Sequence, residues 1–161
     1  MREYLKEKPF NLSEEQIAFV EKTIENMTLD EKIGQLFLPI NFIEEEQPLR
    51  EFVRKFQPGG ALNRPAPGAL NQNRHRIMQE ESKIPMFIPA NIESGGNGTA
   101  VEGTAFGNPL QVAATGDTKY AYELGKIAGK EGRAVGINYA FAPIIDIDYN
   151  TLNPITNTRT F

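Results

Sequence analysis

Ile17, Val20 and Ile24 in "LSEEQIAFVEKTIENM" recur at a spacing that puts all three on one face of a helix. Ser13 and Gln16 supply a capping box at its start. "TLDEKIGQLFLPI" repeats that start signal with Thr28 and Glu31, and its apolar residues then condense into Leu36-Phe37-Leu38. This pattern predicts a short helix feeding a strand. Leu49, Phe52, Val53 and Phe56 predict an amphipathic helix. A Pro-Gly turn leads into a short strand in "PGGALN", after which "GALNQNRHRIMQEES" predicts a mostly polar helix and "IPMFIPAN" a compact apolar strand. A Gly-rich loop covers residues 94–109. Asp117 is placed to cap the helix "TKYAYELGKIAGKEGRAV", Gly136 to end it, and "INYAFAPIIDI" is the last strand.

Helices and short, continuously apolar strands therefore alternate, the signature of βα units around a parallel sheet with covered faces. Four such units fit half of a (β/α)8 TIM-like barrel, preceded by an N-terminal helix, or a small doubly wound sheet. In both folds the loops after the strands carry the chemistry. The half-barrel reading predicts two unpaired strand edges and one exposed apolar face, and hence self-association or pairing with the rest of a barrel. No repeat or low-complexity linker divides residues 1–161, which are read as one unit.

Composition narrows the function classes. The 161 residues are 40% apolar and 24% charged, with 17 basic and 21 acidic side chains, a net charge of −4. That is the balance of a globular protein, and it speaks against a nucleic-acid or anionic-membrane surface. The absence of cysteine excludes disulfides, thiolate metal sites and cysteine catalysis within these residues. "MREYLKEKPF" contains no signal-peptide core, so a cytoplasmic location is expected, and no apolar run approaches the ~20 residues of a membrane span.

Candidate chemistry gathers after the strands. In "NIESGGNGTAVEG", Gly96 and Gly98 supply G-x-G, but Val101 stands where a third glycine belongs and no Lys-Ser/Thr pair follows, so phosphate binding is disfavoured. The glycines then serve a tight loop, or Gly95 and Gly96 bring backbone close to a neutral ligand with Asn91 and Glu93 as polar contacts. Asp146 and Asp148 lie two apart at a strand end, conceivably an acid/base or metal pair, more simply carboxylates that hold loop amides. His75, the single histidine, sits between Arg74 and Arg76 and is expected to be solvated or interfacial rather than catalytic. Arg159, beside Asn and Thr in the last loop, suits bidentate hydrogen bonding to hydroxyls or carboxylates. No cofactor or metal is called for.

At these residues the sequence becomes similar to a known family. "MTLDEKIGQLFL", "PGGALN", "IPMFIPANIESGG", "NPLQVAATGD", "YELGKIAGKEGRAVGINYAFAPIIDI" and "NPITNTRTF", in this order, resemble the N-terminal half of the catalytic domain of glycoside hydrolase family 3. The β-N-acetylhexosaminidase-like branch is the nearest, and the resemblance runs from about residue 27 to 161. It implies a TIM-like barrel that hydrolyses β-linked sugars with retention through a covalent glycosyl-aspartate, with a carbohydrate as the partner. Residue by residue, Arg159 falls on the family's sugar-binding arginine and Asn91 on its substrate-binding aspartate. Glu93, Gly95 and Gly96 match the remainder of that motif, with Ser94 as an insertion. Asp146 matches an aspartate that organises the loop.

The resemblance also implies what is not here. The family's Lys-His sugar-binding motif, its His/Asp acid/base loop and its Asp nucleophile all correspond to positions after Phe161. Retaining hydrolysis needs a nucleophile and an acid/base, about 5–5.5 Å apart when both are carboxylates, so the chain alone is expected to be inactive. At position 91 an amide replaces a carboxylate and forfeits charge-assisted bonds about twice as strong as neutral ones. A β-glucosidase of the same family, a non-catalytic sugar-binding or self-assembling half-barrel module, and a doubly wound nucleotide-binding protein are the competing readings.

Overall fold

A computed structural model describes residues 2–147 and 149–161. Both capping boxes form as their sequences require. Ser13 starts α1 (Glu14–Asn26) and Thr28 starts α2 (Leu29–Gly34), each with reciprocal bonds to the residue three places on. In α1, however, only Ile17 is buried; Val20 and Ile24 share its face but stay exposed.

Among the described residues four short strands follow, each separated from the next by helix: β1 (Ile40–Asn41), α3 (Glu46–Phe56), β2 (Leu62–Asn63), α4 (Gly68–Glu81), β3 (Pro89–Ala90), α5 (Pro109–Ala113), α6 (Thr118–Ala134) and β4 (Tyr139–Ala140). Leu36-Phe37-Leu38 lies outside β1, since pairing starts only at Ile40, opposite Leu62. The loop predicted over residues 94–109 gives way at its end to α5. Its signal was a third capping box, between Asn108 and Gln111, with proline at the first turn.

All pairings are parallel. β1 joins β2 through Ile40–Leu62 and Asn41–Asn63, and β3 joins β4 through Pro89–Tyr139 and Ala90–Ala140. A Gly60–Phe87 bridge links the two pairs, with the Ala61 N–H donating to the Phe87 carbonyl at 3.0 Å and the Phe87 N–H to the Gly59 carbonyl at 2.9 Å. The fold is α/β, and strand order equals chain order. Among the described strands there is no reversal, and so no switch-point crevice of the kind that holds nucleotides in doubly wound sheets.

Leu49 and Val53 of α3, Ile77 and Met78 of α4, and Ala128 of α6 bury against Ile88, Ala90 and Ile92 along β3. The alternate residues Phe87, Tyr139 and Phe141 point the other way, meet in tilted and edge-on contacts with centroids 5.2–5.5 Å apart, and remain exposed. One face of the sheet is thus covered by helices and the other is open. Continuously apolar strands predicted cover on both, whereas the half-barrel reading predicted one exposed apolar face.

Candidate functional site

Because the four strands run parallel, their carboxyl ends bring Asn41, Asn63, Asn91 and the loop after β4 to one edge. A web of amides joins these loops. Asn41 Nδ2 donates to Asn63 Oδ1 at 2.8 Å, and Asn71 on α4 donates to the carbonyls of Arg64 at 3.2 Å and Thr99 at 2.8 Å. Asn71 thereby ties the loop after β2 to the Gly-rich loop after β3. Arg74 donates to Asn71 Oδ1 at 3.4 Å and lies 3.6 Å from Glu44. The helix that reads as mostly polar therefore buries Asn71, Arg74 and His75: backbone carbonyls accept from Asn71 and from His75 Nδ1, while Arg74 is held by the Asn71 and Glu44 side chains.

The glycines fold the β3 loop onto itself. Gly95 has φ +127°, and a Cβ there would stand 2.1 Å from the Thr104 carbonyl oxygen. A Cβ on Gly96 would meet the Glu131 carboxylate at 1.9 Å, the same carboxylate that accepts from the Thr104 N–H at 2.8 Å and hydroxyl at 2.5 Å. Gly98 packs on the Asn91 carbonyl, where a Cβ would come within 2.0 Å. Backbone contact with its own loop and α6 is what these positions require.

This loop presents Glu93 to Arg159. Arg159 Nε donates to Glu93 Oε2 at 2.8 Å and Nη2 to Oε1 at 2.7 Å, a two-pronged pair between residues 66 apart in sequence. The Glu93 side chain is 11% exposed and that of Arg159 44%. The hydrogen bonds and charge of Glu93 raise the Arg159 guanidinium above its ordinary value, so it stays cationic. Arg159 lies in a single 3₁₀ turn, Asn157–Arg159, which packs on α5 and is followed by the buried Thr160, whose hydroxyl donates to the Asn157 carbonyl at 3.2 Å.

Of the residues singled out from sequence, Glu93 and Arg159 are brought together. Asn91 is exposed and lines a separate small cavity with Asn63 and Arg64. Gly95 and Gly96 lie inside the loop. Asp146 is exposed beyond β4, and Asp148 lies outside the described residues. Asn41, Asn63, Arg64 and Asn71 were not anticipated; the visible signal was a pair of polar residues, Asn63-Arg64, closing an apolar strand. Among the described residues no three His, Cys, Asp or Glu side chains cluster as metal ligands, and no helix is long and apolar enough to cross a membrane.

His75 is 2% exposed, not solvated: its Nδ1 donates to the Val135 carbonyl at 2.5 Å and its Nε2 has no partner. Burial lowers its pKa from about 6.5, the Val135 carbonyl opposes this, and the Arg74 cation adds to it. The unfolded chain therefore takes up a proton near pH 6.5 that the folded chain refuses. This contribution to stability is complete above that pH and is lost as the pH falls through the interval below it. Denaturant midpoints between about pH 7.5 and pH 5 are expected to fall for the native chain and to fall less for His75→Gln.

Residues 28–161 match the family described as glycosyl hydrolase family 3 N terminal domain. The chain belongs to this family. It is 40% identical over 153 residues to a beta-N-acetylglucosaminidase/beta-glucosidase of Cellulomonas fimi, covering 95% of this chain and 27% of that protein. A beta-hexosaminidase A of Pseudoalteromonas piscicida is 29% identical over 127 residues, 70% of this chain and 21% of its own length. Among solved structures, a beta-glucoside phosphorylase BglX bound to 2FGlc superposes with a TM-score of 0.91 at 41% identity, over 99% of this chain and 29% of the other. The glycosyl hydrolase family 3 segment thus spans only 21–29% of the length of these relatives.

Proposed function

We propose that this family 3 segment is the sugar-gripping part of a retaining glycosidase acting on terminal β-linked N-acetylglucosamine in glycans. The carrying observation is the Glu93–Arg159 pair at the sheet's carboxyl edge. A guanidinium fork locked by a carboxylate offers fixed donors on one side and fixed acceptor lone pairs on the other, which suits the hydroxyls of a pyranose. Asn91, which lines the separate cavity at the same edge, adds a neutral donor and acceptor there. On this reading Glu93 is committed to Arg159, and the two groups that break the bond are expected from outside these 161 residues, as the family resemblance implies.

The wall of a (β/α)8 barrel is the architecture this reading uses. Unreversed parallel strands, helices on one face and an open aromatic face formed by Phe87, Tyr139 and Phe141 support it. Covering that face calls for more barrel or another copy, so light scattering on the 161-residue chain is expected to give a mass above the monomer. A stable monomer at all concentrations speaks against it.

A β-glucoside substrate is the second reading, favoured by the Cellulomonas fimi relative and by BglX. Chromogenic β-N-acetylglucosaminide and β-glucoside, compared on the full-length protein, separate the two. The first is expected to have the higher kcat/KM by about tenfold or more; equal or better turnover of the glucoside rejects the N-acetyl preference. The 161-residue chain is expected to turn over neither.

A further inference from the structure

At the carboxyl end of β2, Asn63 is only 3% exposed and its Nδ2 has no hydrogen-bond partner. Its orientation is fixed by a neighbour. Asn63 Oδ1 accepts from Asn41 Nδ2, and Asn41 is itself held by the Ile43 N–H at 3.0 Å and the Ile43 carbonyl at 3.2 Å. Turning the Asn63 amide over would set donor against donor. The unsatisfied group is therefore an N–H, and a buried donor left alone costs about 1–3 kcal/mol. It calls for an acceptor.

Asn63 lines a cavity of about 110 Å³ with Leu62, Arg64, Pro65, Asn91 and Gly98. That is room for several waters, and so for a carboxylate or a phosphate group. The wall contains no acidic side chain. Among the described residues, neither the Arg64 guanidinium nor the Asn91 amide has a hydrogen bond or ion pair, and both residues are exposed. Three side chains with free N–H donors line it, one of them permanently cationic, and the side-chain acceptors are neutral amide oxygens only.

We infer that this cavity binds a small oxyanion, with Arg64 forking onto two of its oxygens and Asn63 Nδ2 supplying the buried N–H. The inference relies on the carbohydrate reading only for what carries the anion: free phosphate beside the sugar, or a carboxylate on the substrate itself. Asn91 borders the cavity and would meet both sugar and anion.

The test is titration of the full chain, followed by calorimetry, with sodium phosphate and separately with sodium glucuronate, at ionic strength held constant with sodium chloride. Saturable binding of at least one is expected, weakened about tenfold or more in Arg64→Gln. Arg133→Gln, at the exposed end of α6, is expected to bind as the native chain does. Saturation by phosphate alone assigns the site to the free anion, and by glucuronate alone to an acidic substrate. No saturation with either, or the same loss in both arginine variants, overturns the proposal. Arg64 is on the surface, so its variant is expected to melt like the native chain. N-acetylglucosamine, titrated in parallel, reports on the carbohydrate reading separately: its failure to bind would count against that reading and leave a phosphate isotherm standing.

Discussion

Arg159→Ala in the full-length protein is expected to lower kcat/KM for the preferred glycoside by about a hundredfold. The substitution removes both bonds to Glu93, and hydrogen bonds to charged groups contribute about 1.5–3 kcal/mol each before the half-exposed guanidinium is discounted for screening. It also frees the Glu93 carboxylate, 11% exposed, to swing away from the sugar it is proposed to hold. Arg159→Lys keeps the charge but not the fork and is expected to recover only part of the loss. Steady-state kinetics on the three proteins check this. Equal activity of Arg159→Ala and the native enzyme would show that the pair only fastens the last loop.

Gly95→Ala is expected to destabilise the fold by about 3 kcal/mol or more. Two costs combine there: a φ of +127°, which side chains other than glycine rarely adopt, and a Cβ at 2.1 Å from a backbone oxygen that has no freedom to retreat. Gly125→Ala provides the contrast, since a Cβ on that helical glycine meets nothing within 4 Å and replaces a poor helix former. Urea denaturation of the two variants is expected to show opposite signs. A Gly95→Ala chain as stable as the native one would mean that the loop has another way to fold, and that Glu93 is not held by it.

How far such a site can be read from sequence depends on how local its causes are. The capping boxes of Ser13 and Thr28, the start of α6 at Asp117 and the alternation of helix with apolar strand are decided within a few residues, and each was legible. The burial of His75 was not, because it depends on the Val135 carbonyl, 60 residues away. The open sheet face followed only from the half-barrel reading, not from the strands themselves. Apolar strands look alike whether their second face meets helices or stays bare, so the exposure of Phe87 and Tyr139 carries no local signal.

The Glu93–Arg159 pair stands between these cases. Composition and spacing marked both residues as polar groups in loops after strands, and nothing in that pattern joins two positions 66 apart. Family resemblance assigned Arg159 to sugar binding and Glu93 to the same motif as the substrate-binding position 91; parallel strand order explains how they meet. Asn63 and Arg64 were passed over because an Asn-Arg step after a short strand is ordinary turn chemistry. Only a hydrogen-bond inventory of the folded chain distinguishes a donor with no acceptor from one that has found its partner.

The central claim is that the carboxyl edge of this sheet holds a sugar between the β3 loop and Arg159. A crystal structure of the full-length protein with bound N-acetylglucosamine examines it most directly. The expected result is a pyranose whose hydroxyls lie within about 3 Å of the Arg159 guanidinium and the Glu93 carboxylate, with Asn91 alongside. A sugar bound at the opposite edge of the sheet, or one that leaves the Glu93–Arg159 pair untouched, would contradict it.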